Sequence, residues 1–197
     1  MTLVSNASYS ASQVCGDTTV ASGWTGCSDA RINALKNGTV LPDIIICYIG
    51  INDWAVSNPF GTFTSTDEVD LESTRITEFS EAYALMLYKI RNTYPDAQLF
   101  CVNIFEGRPL ADDFVYPILN ANSNSLHEMN HIIAEIAHIF GAAVIDLQTC
   151  GIHYWNVKQY TINRTETDTG IHPNAAGMSI IANTVYKKLV EYLNKEV

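Results

Sequence analysis

Asp43-Ile44-Ile45-Ile46-Cys47-Tyr48-Ile49-Gly50-Ile51-Asn52-Asp53 is an apolar, β-rich run that ends in a glycine and two short polar side chains. Such a run reads as a buried parallel strand entering its C-terminal loop. In open α/β sheets that carboxyl edge is where ligands bind. Gly50 allows close backbone approach, and Asn52 supplies a neutral amide donor for developing negative charge. Far downstream, His172-Pro173-Asn174 opens a terminal helix and offers a general base. The two segments together point to an acyl-transfer site, although the nucleophile that such a site needs is not evident.

Working outward from the strand, no repeat, low-complexity tract or linker divides the sequence, and residues 1–197 are read as one domain. Residues 1–5 are expected to end a strand and 6–28 to form a polar loop, followed by a short helix from Asp29 to Asn37 that Gly38 stops. Ile76, Phe79, Tyr83, Met86 and Ile90 recur at helical spacing and predict a long helix from Thr66 to Tyr94, closed by Pro95-Asp96. Gln98 to Phe105 reads as the next strand, and residues 106–122 as an irregular loop with two prolines. Asn122 or Ser123 is expected to cap a helix that buries Leu126, Met129, Ile133, Ile136 and Phe140. Ala142 to Leu147 is another strand, and a last helix runs from Pro173 to Leu193. Strands alternating with helices at this spacing predict a three-layer αβα architecture around a parallel sheet.

Composition narrows the partners. The formal net charge of −10 argues against nucleic acid or an anionic membrane. No apolar stretch approaches the roughly 18 residues of a membrane span. Five cysteines make an odd number: Cys47 and Cys101 lie in strand-like runs as small core residues. Cys15 and Cys27 flank a Gly/Thr/Ser-rich loop and could pair only in an oxidising compartment; reduced thiols in a cytoplasm are the expectation. Met1-Thr2-Leu3-Val4 is followed at once by polar residues, unlike a signal peptide.

The blocks of this sequence resemble those of the SGNH (GDSL-type) esterases and acylhydrolases. Gly50-Ile51-Asn52-Asp53 resembles that family's GxND block, and Asp168-Thr169-Gly170-Ile171-His172-Pro173-Asn174-Ala175-Ala176-Gly177 its final Asp…His-Pro block. Asn6-Ala7-Ser8-Tyr9-Ser10-Ala11 is similar to the block that supplies an oxyanion-hole glycine. Tyr94-Pro95-Asp96-Ala97 and Val144-Ile145-Asp146-Leu147 fall where the family's flavodoxin-like fold would place them.

The resemblance implies His172 as general base, Asn52 and the backbone N–H of Ala11 as oxyanion donors, and Asp168 as the acid that orients the histidine. Gly50, Asp53 and Trp54 would contact substrate, Trp54 as a pocket wall. Three departures accompany these roles. Ala11 stands where the family prefers glycine. Asp168 lies four residues before His172 rather than three, with Glu166 as the other acid. No Gly-Asp-Ser block occurs; Gly16-Asp17 is followed by Thr18, and Ser8, Ser10 and Ser12 are substitutes by residue type alone. The expectation is therefore a sequence that starts late, lacking the family's first strand, with secretion left open and the exposed sheet gap favouring homo-oligomers.

The implied activity is hydrolysis of a small-molecule ester, an acylated sugar or a lipid, with no cofactor. Two alternatives stand beside it. The missing serine block fits a hydrolase-like protein that binds without cleaving. His127-Glu128-Met129-Asn130-His131 matches the H-E-x-x-H zinc-peptidase pattern. The extended zinc motif fails, because position 134 is alanine and His138 falls one residue late. His127, His131, Glu135 and His138 also share the face opposite the apolar stripe, as a solvated surface would.

Overall fold

The computed structural model describes residues 13–19, 25–107, 115–162 and 172–194. In chain order the elements are strand β1 (Gly16–Asp17), helix α1 (Asp29–Asn33), strand β2 (Ile44–Cys47), helix α2 (Ile51–Ala55) and strand β3 (Arg75–Ile76). Helix α3 (Phe79–Thr93), strand β4 (Gln98–Val102), helix α4 (Leu126–Ile139) and strand β5 (Ala143–Ile145) follow. Helices α5 (Val157–Tyr160) and α6 (Ala175–Leu193) complete the set.

β2, β4 and β5 form a parallel sheet in that order, with Cys47 opposite Cys101 and Val102 opposite Ile145. Side chains on successive strand residues point to opposite faces, and the core divides accordingly. Ile45, Cys47, Leu99 and Cys101 pack with Phe79, Tyr83, Leu87 and Ile90 of α3 and Met129, Ile133 and Ile136 of α4. Phe100, Val102 and Ile145 pack on the other face with Val157 of α5 and Ile181 of α6. The result is three layers, helices on both faces of a parallel sheet, as the alternating pattern requires. Each fully buried Phe or Leu in these layers contributes about 1.5–3 kcal/mol of hydrophobic stabilisation.

Three elements differ from the sequence reading. The helix foreseen from Thr66 begins only at Phe79, after a single 3₁₀ turn over Thr66–Glu68 and the short strand β3. Polar side chains divert the backbone there: the Asp70 carboxylate accepts from the N–H groups of Glu72 and Ser73, and β3 pairs antiparallel with β1. The cap of α4 is Ser125, not Asn122 or Ser123. The Ser125 hydroxyl accepts from the Glu128 N–H at 3.2 Å, and the Glu128 carboxylate accepts from the Ser125 N–H at 2.6 Å. This reciprocal capping box outcompetes the earlier candidates. α1 also stops at Asn33, four residues short of the predicted end. Residues 1–12, where a strand end and polar loop were expected, lie outside the described residues.

Candidate active site

The carboxyl edge of the sheet is built from three chain exits. After β2 the chain turns sharply at Gly50, whose φ of 130° is a conformation that L side chains rarely adopt. A Cβ there would lie 3.3 Å from the Phe79 ring and 3.4 Å from Met129 Sδ. The close approach that Gly50 permits is therefore to the core beneath the turn. α2 begins at once, placing Asn52 half-buried in its first turn, just past the carboxyl end of β2.

Asp53, expected to touch substrate, points the other way. It is fully buried, with Oδ2 accepting from Val14 N–H at 2.8 Å and Oδ1 from Cys15 N–H at 3.0 Å. The Asn58 amide donates a third bond at 3.0 Å. Its carboxylate thus ties residues 14–15 to the turn that carries Asn52. Trp54 is likewise buried, its indole N–H donating to the Asn124 carbonyl at 2.9 Å while its own carbonyl accepts from Asn120. It fastens the loop before α4 and presents little surface to a ligand.

The third exit leads from β5 through α5 to α6. His172 is exposed, and its carbonyl accepts from Ile162 N–H at 2.7 Å. Asn174 caps α6, its side-chain oxygen accepting from Gly177 N–H at 3.0 Å and its amide donating to the carbonyls of Gln159 and Thr161. Gly177 nests so close to the Tyr160 carbonyl that a Cβ would collide with it. The His-Pro-Asn-x-x-Gly pattern is thus a joint that fixes the start of α6 against α5. The far end of α6, at Lys188, Glu191 and Tyr192, borders Phe100 and β5.

Ala11, Asp168 and Glu166, and the serines Ser8, Ser10 and Ser12, lie outside the described residues. Cys15 and Cys27 stand as free thiols. Burial pushes the Cys15 thiol far up, with the nearby Asp53 charge adding to the effect. Burial also pushes Cys27 up to about 12, with Lys89 pulling the other way. Neither supplies a thiolate nucleophile near neutral pH.

The H-E-x-x-H residues have local partners. Hydrogen bonds from Ser125 hold the Glu128 carboxyl below the usual glutamate range, His127 meets the Gln148 amide at 3.1 Å, and His131 pairs with Glu135 at 3.2 Å. Both histidines sit on the exposed face of α4, as the helical wheel predicts.

Sequence reasoning overlooked the exit from β4. There Asn103 is buried, donating to Asp146 Oδ1 at 2.7 Å and accepting from Leu147 N–H at 2.6 Å, so that it joins the carboxyl ends of β4 and β5. Glu106, three residues on, is also buried. The available signal was positional: polar residues directly after an apolar strand, as at Asn52.

The sequence pattern of the GDSL-like lipase/acylhydrolase family matches residues 3–180. The chain belongs to that family. Solved structures show the same fold at low identity. A protein from Lactobacillus plantarum is 18% identical with a TM-score of 0.64, covering 85% of this chain and 78% of its own. A structure titled as a possible lipase from Chitinophaga pinensis is 17% identical with a TM-score of 0.57, covering 86% and 80%. A carbohydrate esterase family 3 structure from Talaromyces cellulolyticus is 19% identical with a TM-score of 0.51, covering 86% and 66%. Among curated proteins none matches the chain. The αβα layers are those of a GDSL-type hydrolase.

Proposed function

We propose that this GDSL-family chain hydrolyses carboxylic esters by serine acyl-enzyme chemistry at the carboxyl edge of its parallel sheet. The observation that carries this reading is the placement of Asn52 in the first turn after β2 and of His172 at the joint opening α6. In the proposed reaction His172 takes the proton of a serine hydroxyl as its oxygen adds to the ester carbonyl carbon. Asn52 Nδ2–H and the Ala11 N–H donate to the resulting oxyanion. Collapse breaks the bond to the alkoxide, which His172 protonates; water then repeats the sequence and releases the acid. Asp168 orients the imidazole. A small ester, with an acylated sugar as the alcohol part, fits the carbohydrate esterase among the structural relatives.

Fluorophosphonate labelling read by intact mass and peptide mapping tests the proposal. The expected result is one serine adduct that is lost in His172→Ala. An adduct whose yield is the same in His172→Ala would overturn the assigned base. A second reading, a family member that binds esters without cleaving them, is favoured by the lack of a Gly-Asp-Ser block in the sequence. No adduct together with saturable ester binding is the result that would establish it.

A further inference from the structure

The turn that leads from α1 toward β2 holds a chemistry of its own, independent of ester hydrolysis. Asn37 N–H donates to the Val40 carbonyl at 3.0 Å, and Val40 N–H donates back to the Asn37 carbonyl at 3.0 Å. Gly38 and Thr39 close this antiparallel bridge. Gly38 takes a φ of 61°, a conformation that favours glycine, and Asn-Gly is a pair that tight turns select. Residues 37–40 are all exposed, and a Cβ built on Gly38 would meet nothing within 4 Å.

Asparagine is among the thermolabile residues, because its side-chain carbonyl carbon lies one bond short of a ring with the next residue's amide nitrogen. Two features of a folded chain prevent closure. A bulky following residue crowds the nitrogen, and a hydrogen bond can hold its N–H elsewhere. Among the described residues, glycine, alanine or serine follows Asn33, Asn37, Asn120, Asn122, Asn124 and Asn174. Most of the following N–H groups are engaged. Ala34 N–H donates to the Ala30 carbonyl at 3.2 Å and Ala121 N–H to Ser57 Oγ at 3.0 Å. Ser123 N–H donates to the Asn120 carbonyl at 2.9 Å, and Ser125 N–H to the Glu128 carboxylate at 2.6 Å. Asn174 is held by its own side chain, which caps α6 and donates to the Gln159 and Thr161 carbonyls. Gly38 N–H finds no acceptor among the described residues.

We infer that Asn37 is a site of self-modification, at which the folded chain converts the asparagine through a succinimide into isoaspartate and aspartate. The Gly38 nitrogen gives its proton to solvent base and forms a bond to Asn37 Cγ. The Cγ–Nδ2 bond then breaks and ammonia leaves. Water opens the ring in one of two ways. Addition at the Asn37 main-chain carbonyl frees that carboxylate and leaves the chain running through Cγ, as isoaspartate; addition at Cγ gives aspartate. One water is consumed and one ammonia released, with no oxidant or reductant. Either product adds one negative charge to the formal −10. Isoaspartate also lengthens the main chain by one carbon inside the 37–40 bridge, whose paired hydrogen bonds then lose their register.

The test follows the full chain during prolonged incubation at physiological temperature in mildly acidic and mildly alkaline buffer. Ion-exchange chromatography, peptide mapping and enzymatic methylation of isoaspartyl groups supply the readouts. A more acidic species is expected to build up, faster in alkaline buffer, since the attacking nitrogen must lose its proton. Its modification should map to Asn37, with isoaspartate among the products. Asn37→Gln, whose longer side chain would have to close a larger ring, should lose that species, whereas Asn122→Gln should leave its yield unchanged. Incubation in urea isolates the effect of the fold: with the Ser123 and Ser125 N–H groups released, Asn122 and Asn124 should be modified as well. An undiminished acidic species in Asn37→Gln would overturn the inference. So would a folded chain that stays intact at Asn37 while the unfolded chain is converted there. Conversion of Asn122 in the folded chain to the same extent as Asn37 would refute the selection by hydrogen bonding.

Discussion

Asp53→Asn is the substitution that separates a ligand-binding carboxylate from a structural one. The native side chain is fully buried and presents two oxygens to two backbone donors, Val14 N–H at 2.8 Å and Cys15 N–H at 3.0 Å. Asparagine fills the same space but keeps a single acceptor oxygen, so one N–H is left facing an NH₂ group. The lost charge-assisted bond costs about 1.5–3 kcal/mol and the stranded buried donor about 1–3 kcal/mol. Because the two overlap, the net loss is about 3–5 kcal/mol, a large share of an ordinary domain's stability. For a 197-residue chain at about 2–4 °C per kcal/mol, the melting temperature should fall by about 10 °C. Calorimetry and urea titration measure this directly, alongside ester turnover at a temperature where both proteins are folded. Turnover should fall through kcat, because the 14–15 segment and the Asn52 turn lose their tie. An Asp53→Asn protein that melts within about 2 °C of the parent and shows only a raised KM would refute the reasoning and restore Asp53 as a substrate contact.

Three further outcomes follow from the same geometry. Asn52→Ala should lower kcat by roughly 10²–10³ with the melting temperature little changed, since the side chain is half-buried and its proposed work is in the transition state; an unaltered kcat would remove it from the oxyanion hole. Gly177→Ala drives a methyl into the Tyr160 carbonyl, so it should cost about 1–3 kcal/mol and shift the His172 joint, seen as lower melting and lower kcat together. Glu106→Gln probes pH: burial raises the carboxyl above its ordinary value of 4.5, so the folded state binds more protons and stability falls as pH climbs from that value through the raised one. The glutamine variant should therefore gain in melting temperature relative to the parent between pH 4 and pH 8, and a constant difference across that range would contradict the burial effect.

Local backbone demands made much of the fold and half of the site legible. Gly50 and Gly177 are glycines because of a positive φ and a close carbonyl, and Asn174 caps α6, which begins at Ala175, two residues past the Pro173 start expected from the sequence. Period also served well. Phe79, Tyr83, Met86 and Ile90 are all buried on α3, as their spacing requires. What failed was whatever depends on a distant partner. Residues 66–78 carry helix-compatible composition, but Asp70 and β1 settle their path. Asp53 and Trp54 look like ligand groups beside a GxND turn until Val14, Cys15 and Asn124 are found bonded to them. Glu106 carries no motif at all; only its burial in the folded chain marks it.

The joint at the head of α6 has an evolutionary consequence. Ile162 and His172 are hydrogen-bonded to one another, Thr161 bridges Pro173, and Asn174 reaches back to residues 159 and 161. Both ends of the intervening stretch are thereby anchored to the same post, whatever the stretch contains. Lengthening a loop closed in this way is thermodynamically cheap, about 0.6 kcal/mol for each doubling. Residues can then be gained or lost between positions 162 and 172 without moving the histidine, and the anchored post is what selection must hold constant.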